Sequence, residues 1–279
     1  MFIKHEKNQI LIDNLSSLLQ TLDLVEQNSC EVIHWGSPVP VFGNIFESHI
    51  ATVGINPSNK EFYNNNGKRL EKSLSRFHTL DSLGLDKWEN AKAKHLELIL
   101  NSCINYFHNN PYNLWFKALE DIIQTLNYSY YTLNNQACHL DLIPFATEKK
   151  WGELKKSYKD YLIEKSNNSL AVFIKESHIK LLILNGKSVV NLFSKIARIK
   201  LVEQRQKLWD LKRNSGRNIA GYSYCGHISN ISGIDIGRTI KILGFNHNLQ
   251  SSYGITKDVK NAIRSWIRKK LIDKQFVHE

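Results

Sequence analysis

Four short apolar runs constrain this chain more than anything else in it, because each one ends abruptly in small and polar residues. The runs are Ile50–Val53, Ala137–Ile143, Ile179–Leu184 and Asn218–Tyr224. Runs of this length, rich in aliphatic and β-branched side chains and bounded by turn formers, read as strands. Stretches with helical spacing lie between and around them. One runs from about Asn8 to Glu26, where Ile10, Leu11, Leu15, Leu18, Leu19 and Leu22 share a face. Others are predicted at about 88–108, 114–126, 151–177 and 188–196, with two more over Ile234–Leu243 and Lys257–Leu271. Strands separated by helices predict a parallel sheet covered on both faces. The expectation is an α/β chain, a three-layer α/β/α sandwich around a central four-stranded parallel sheet. A length of 279 residues suits one domain spanning 1–279.

In such a sheet the ligand binds beyond the carboxyl ends of the strands. Those ends carry Gly54-Ile-Asn-Pro-Ser58, Asp141-Leu-Ile-Pro-Phe145, Asn185-Gly-Lys-Ser188 and Cys225-Gly-His-Ile-Ser-Asn230. One mouth assembled from four loop tips is the simplest prediction. In the first cluster a glycine turn and a rigid proline hold the Asn56 amide at the sheet edge. The competing reading is an Asn-Pro turn in which Asn56 caps the next segment. The third cluster follows a strand and opens a helix, so its N–H groups, with Lys187 and Ser188, suit a phosphate. It is not a Walker A loop, because Leu181 stands where that pattern needs glycine. An ordinary helix start with a solvated lysine is the alternative.

Lys and Arg outnumber Asp and Glu by 37 to 26. That excess suits a polyanionic partner, since cations on one face raise encounter rates with phosphates and release counterions. Cys30, Cys103, Cys138 and Cys225 have no paired spacing, which argues against a zinc ribbon, a disulfide framework or an iron–sulfur cluster. No cofactor and no metal are expected. The first twenty residues have helical periodicity rather than a signal peptide's apolar block, and no apolar run reaches membrane-spanning length. A soluble, cytoplasmic monomer with no membrane partner is the expectation.

Taken in order, the strand-end segments resemble the active-site motifs of the uracil-DNA glycosylase superfamily, closest to its mismatch-specific and single-strand-selective branches. The likeness runs from about Trp35 to Phe245 and leaves the N-terminal helix and a helical insertion at about 70–110 unexplained. Gly54-Ile-Asn-Pro-Ser58 is similar to the first motif, whose Asn positions the attacking water, a role the resemblance gives to Asn56. His227-Ile-Ser-Asn230 resembles the second motif, whose His stabilises charge on the departing base. This implies His227, although Ile228 replaces the family's proline. Phe62 lies where members of the family stack an aromatic on the extruded base; Tyr63 is the neighbouring candidate, and a core role competes. The resemblance also implies base contacts from Gly54 and Ile55, and DNA contacts from Ser58, Lys60, Gly186, Lys187, Ser188 and Ser229. Lys68, Arg69, Lys72 and Arg76 extend the basic stretch, as a DNA track or as a solvated face.

Asp141-Leu-Ile-Pro144 carries the question of substrate. It resembles a strand-end Asn-x-x-Pro whose Asn reads flipped uracil, with Asp in the Asn position. An amide donates to uracil O4 and accepts from N3–H, whereas an ionised carboxylate can only accept. A protonated Asp141 accepts from the cytosine amine and donates to N3, and burial favours that protonated form. The competing reading makes Asp141 a turn cap or a partner of His139. The strand ends lack the paired carboxylates of ordinary glycoside hydrolases and a lysine placed for a Schiff base. The resemblance therefore implies a monofunctional DNA glycosylase that leaves an abasic site. Its expected substrate is a modified cytosine, because excising the ordinary base would destroy the host genome, and some bacterial relatives are thought to attack modified phage genomes. The alternatives are a repair enzyme for uracil or deaminated bases, and a non-catalytic module that binds damaged DNA.

Overall fold

The structure, a computed structural model, describes residues 2–27, 31–71, 74–110, 114–212, 218–250 and 254–272. Cys30 and Lys72 fall outside them. Nine strands form among these residues: β1 (Val41–Phe42), β2 (Ile50–Gly54), β3 (Ala137–Asp141), β4 (Leu181–Asn185), β5 (Val202–Arg205), β6 (Leu211–Lys212), β7 (Asn218–Ile219), β8 (Tyr222–Ile231) and β9 (Ile234–Phe245). The helices are α1 (Phe2–Gln27), α2 (Leu80–Leu83), α3 (Ala93–Ile104), α4 (Tyr106–Asn109), α5 (Leu114–Ile123), α6 (Lys156–Lys175), α7 (Lys187–Ala197) and α8 (Lys257–Ile272). None of the described helices is long and apolar enough to cross a membrane.

The main sheet has seven strands in the order β1-β3-β2-β4-β9-β8-β5, with β6 and β7 forming a separate ribbon. Its middle is parallel: β2 pairs with β3 and β4, and β4 pairs with β9. Antiparallel strands flank that core, β1 beside β3 on one side and β8 and β5 on the other. Three of the four expected strands, β2, β3 and β4, lie in that parallel centre, but its fourth member is β9 and the whole is a wider mixed sheet. β3 and β4 are buried along their whole length and β2 nearly so, as parallel strands covered on both faces must be.

Strand alternation shows which helices cover which face. Gly244 of β9 turns toward Val190 of α7, whereas Lys241, three residues earlier, sends Nζ to the Lys270 carbonyl of α8. Helices α7 and α8 therefore lie on opposite faces. Helix α5 joins α8, through Arg264–Asp121 at 2.8 Å, and sets Phe116 against His139 with ring centroids 5.2 Å apart. The connection from β2 leads to one side and that from β4 to the other, so the crevice of this topology opens between their carboxyl ends.

Two predicted elements change. The run Asn218–Tyr224 is not a parallel strand that stops at Cys225; β8 continues to Ile231 and pairs antiparallel with β9. The helix expected over Ile234–Leu243 is strand β9. Ile236, Ile240 and Leu243 have helical spacing, which suggests a helix, but Ile234, Ile236, Ile240 and Ile242 also alternate. The turn decides between the two periods. Ser232 (φ 52°) and Gly233 (φ 89°) are both left-handed, as the two-residue type I′ hairpin turn requires.

The 70–110 insertion is built into the core. Its Phe77, Tyr106 and Phe107 are buried with Phe42, Phe116 and Tyr130 in one aromatic cluster, including Phe77 stacked on Tyr106 at 5.3 Å and Phe107 on Tyr130 at 4.4 Å.

Candidate active site

The carboxyl ends of β2 and β3 are zipped together beyond the sheet. Leu142 N donates to Gly54 O at 3.2 Å and Ile143 N to Ile55 O at 2.8 Å. These bonds bring the two loops, and with them Asn56 and Asp141, to one rim. Ile55 is half-buried and anchors its loop on the core.

Asn56 is half-buried and its amide is oriented by three acceptors. Nδ2 donates to Thr147 Oγ1 at 3.1 Å, and to the carbonyls of Phe145 and Pro57 at 3.2 Å each. That set requires nitrogen on the protein side and leaves Oδ1 as an acceptor with no donor among the described residues. An amide held this way can take a hydrogen from a water molecule without turning.

Asp141 is buried against the backbone of Gly54, its register partner. Burial pushes its carboxyl above the usual carboxylate range, while His139 pulls it down. Gly54 matters here for close approach. A Cβ at that position would fall 2.5 Å from Asp141 Oδ1 and 2.7 Å from His139 Nε2. Gly54→Ala is therefore expected to destabilise the fold by about 1–3 kcal/mol through overpacking, read as a lowered thermal unfolding midpoint.

A second buried acid sits nearby. Glu61 Oε2 accepts from Arg76 at 3.2 Å and from the Tyr106 hydroxyl at 3.0 Å. Burial pushes this carboxyl up, Arg76 opposes it, and the charge of Asp141 adds to the upward push. Arg76 is thus tied to an interior partner and does not extend a solvated basic face. Sequence alone pointed to neither Glu61 nor Arg76 as part of the wall.

Phe62 is buried, edge-on to Trp35 at 5.8 Å and beside Phe77 at 6.0 Å. Gly36 makes room for its ring, since a Cβ there would lie 2.5 Å from it. Tyr63 meets Trp35 at 5.5 Å and donates its hydroxyl to Glu148 at 2.7 Å, with its pKa pushed up to about 12 by burial and by that carboxylate. Ser58 caps the short turn that follows, accepting from Lys60 N at 3.2 Å. Lys60 is exposed and, with Asn59, Tyr63, Asn64 and Glu148, lines a cleft of about 380 Å³. Arg69 lies 4.0 Å over the Trp35 ring.

The phosphate site expected at the start of α7 loses two of its donors. Gly186 N donates to Phe245 O at 2.9 Å and Lys187 N to Asn246 O at 3.1 Å, so these amides tie α7 to the end of β9. Gly186 needs its left-handed φ of 103° to make that turn beside Asn248. The Lys187 and Ser188 side chains remain exposed. Asn185 bridges the same ends, donating to Asn248 at 3.1 Å and Gln250 at 2.9 Å.

His227 and Ser229 are not at this rim. Both are exposed on β8, where His227 pairs with Lys241, the register partner of Leu181 at the start of β4. Ser223, four residues earlier, marks the carboxyl edge by pairing with Phe245. His227 is therefore about 13 Å along the strand toward the opposite edge. The misplacement follows from the strand's direction: a histidine read as following a parallel strand lies inside an antiparallel one. The histidine just past the last parallel strand is His247. It is buried, its Nε2 donates to the Trp209 carbonyl at 2.6 Å, and burial lowers its pKa. Reading Ile234–Phe245 as a strand would have exposed it.

Among the described residues no group of three His, Cys, Asp or Glu is placed to hold a metal ion. No protein-family model and no curated protein matches the chain.

Proposed function

We propose that this chain is a monofunctional DNA glycosylase of the uracil-DNA glycosylase type, which flips a modified cytosine and hydrolyses its bond to deoxyribose. The observation that carries this reading is one rim holding an oriented amide, Asn56, beside a buried carboxyl, Asp141.

Hydrolysis needs a water held against the sugar carbon and relief of the charge that builds on the base. Asn56 Oδ1 supplies the first by accepting a hydrogen from the water. Its oxygen bonds to C1′ as the C1′–N1 bond breaks and the bonding pair leaves with the base. Asp141, held toward its neutral form by burial, accepts from the exocyclic amine and delivers its proton to N3. The base departs neutral, the water's spare proton passes to solvent, and Asp141 is reprotonated from solvent. The leaving-group role once implied for His227 thus falls to Asp141. His247 is nearer the rim, but its Nε2–H is committed to the Trp209 carbonyl.

The net charge of +11 supports a DNA partner, with Lys60, Lys187 and Ser188 exposed near the strand ends as candidate phosphate contacts. The burial of the Phe62 ring against Trp35 and Phe77 favours its core role over stacking on a base. A substrate restricted to modified cytosine fits a defence role against phage genomes that carry such bases, since abasic sites block replication. Incubation with a 5-hydroxymethylcytosine duplex followed by alkali tests the activity; a strand left intact by every modified cytosine overturns it. His227→Ala is expected to leave base release unchanged and to move stability by no more than about 0.5 kcal/mol, checked by the same strand breaks and by thermal unfolding.

A further inference from the structure

Asp141 is the end of a buried chain of polar groups. His139, two residues earlier on the same face of β3, places Nε2 at 3.5 Å from Asp141 Oδ1. Its Nδ1 lies 2.7 Å from Thr52 Oγ1 on β2, and Thr52 Oγ1 meets the Tyr130 hydroxyl. All four residues are buried, and the rings of Phe42 and Phe116 close on His139 at 5.7 and 5.2 Å. With a neutral imidazole the chain can run in either direction, and the direction that also uses the Tyr130 hydroxyl hydrogen starts from that end. Tyr130 O–H donates to Thr52, Thr52 O–H donates to Nδ1, and the ring hydrogen stays on Nε2, 3.5 Å from Asp141 Oδ1.

A neutral carboxyl is an ambiguous reader. With its proton on one oxygen it accepts from the amine and donates to N3, which complements cytosine. With the proton on the other oxygen it donates to O4 and accepts from N3–H, which complements uracil. We infer that His139 is the positioning residue that removes this ambiguity for a base whose position-4 group meets Oδ1, its Nε2–H fixing Oδ1 as an acceptor and confining the carboxyl proton to Oδ2. The inference rests on the glycosylase reading and sharpens its specificity. Thr52 and Tyr130 act one step further back, by holding the ring in the Nε2–H form.

Other charged or titratable groups face this chain. Glu61 acts on Asp141 from the turn after β2, backed by Arg76 and Tyr106 of the insertion. Glu120 of α5 lies behind Tyr130, whose backbone N–H it accepts at 3.0 Å. None of these contacts supplies a donor to Oδ1, so the assignment depends on His139.

Two readouts test it: release of 5-hydroxymethylcytosine against uracil from matched duplexes, and the pH titration of the Asp141 carboxyl carbon by NMR, assigned with Asp141→Asn. His139→Phe is expected to lower the preference for the cytosine derivative at least about 10-fold, as each well-made base contact carries that much discrimination. Loss of a donor to the charged form also moves the Asp141 titration to higher pH. Thr52→Val moves both readouts the same way by less, and His139→Gln, whose Nε2 donates from a similar position, restores the preference. Thermal unfolding confirms that each variant folds. Base release with unchanged preference and unchanged titration in His139→Phe overturns the inference. Wild-type protein that releases no base from any duplex overturns the glycosylase reading instead.

Discussion

Asp141→Asn is expected to turn the chain from modified cytosine toward uracil. The amide offers a fixed donor to O4 and a fixed acceptor to N3–H, and it has no proton to give to cytosine N3. Sites built to hydrogen-bond one partner reject its mismatch strongly, so the ratio of kcat/KM values should change on the order of 10⁴-fold. Steady-state release from the two duplexes measures it, and a variant that keeps the wild-type preference contradicts the role assigned to Asp141. Stability gives an independent check. Burial raises the folded-state pKa of this carboxyl, so the folded form binds its proton more tightly than the unfolded form. The stability due to that proton is present at low pH and is lost as pH rises from the usual carboxylate range through the raised pKa. The asparagine variant lacks this slope, and its unfolding midpoint should gain on the wild type as pH increases across that window.

Asn56→Ala is expected to bind DNA normally and to release base roughly 10²-fold more slowly, or worse, because the attacking water loses its orientation. Fluorescence anisotropy on a modified duplex and single-turnover release separate the two properties. The geometry adds a graded companion. Thr147 Oγ1 is one of the three acceptors that turn the amide, so Thr147→Val should lower release in the same direction by a smaller factor. Unchanged release in the alanine variant removes Asn56 from the mechanism.

The parts of this molecule that were legible in its sequence are those where one local signal dominates. β2, β3 and β4 are apolar runs that stop at turn residues, and the structure places them where the pattern does. Helices α1 and α8 likewise follow their spacing. The β8–β9 hairpin was misread because Ile236, Ile240 and Leu243 fit a helical period as well as the strand that forms. Only the pair of left-handed residues, Ser232 and Gly233, separates the two. That single error carried His227 to the wrong end of the sheet and hid His247. Glu61, Arg76, Thr52 and Tyr130 were illegible for another reason: their roles arise from contacts across 15 to 87 residues of chain, and no local pattern encodes a meeting at that distance. Asn56 and Asp141 stand out in the sequence because each sits at a strand's carboxyl end, where topology alone brings side chains together, and the structure places both at that edge.

On the proposed reading, the buried Asp141 carboxyl at this rim selects an amino-bearing base for hydrolysis. Four duplexes identical except for one nucleotide test it directly: uracil, hypoxanthine, 5-hydroxymethylcytosine and glucosylated 5-hydroxymethylcytosine, each treated with the protein and then with alkali. Strand breaks at one or both cytosine derivatives, with uracil left in place, are the predicted result. Breaks at uracil with neither cytosine derivative touched would contradict it.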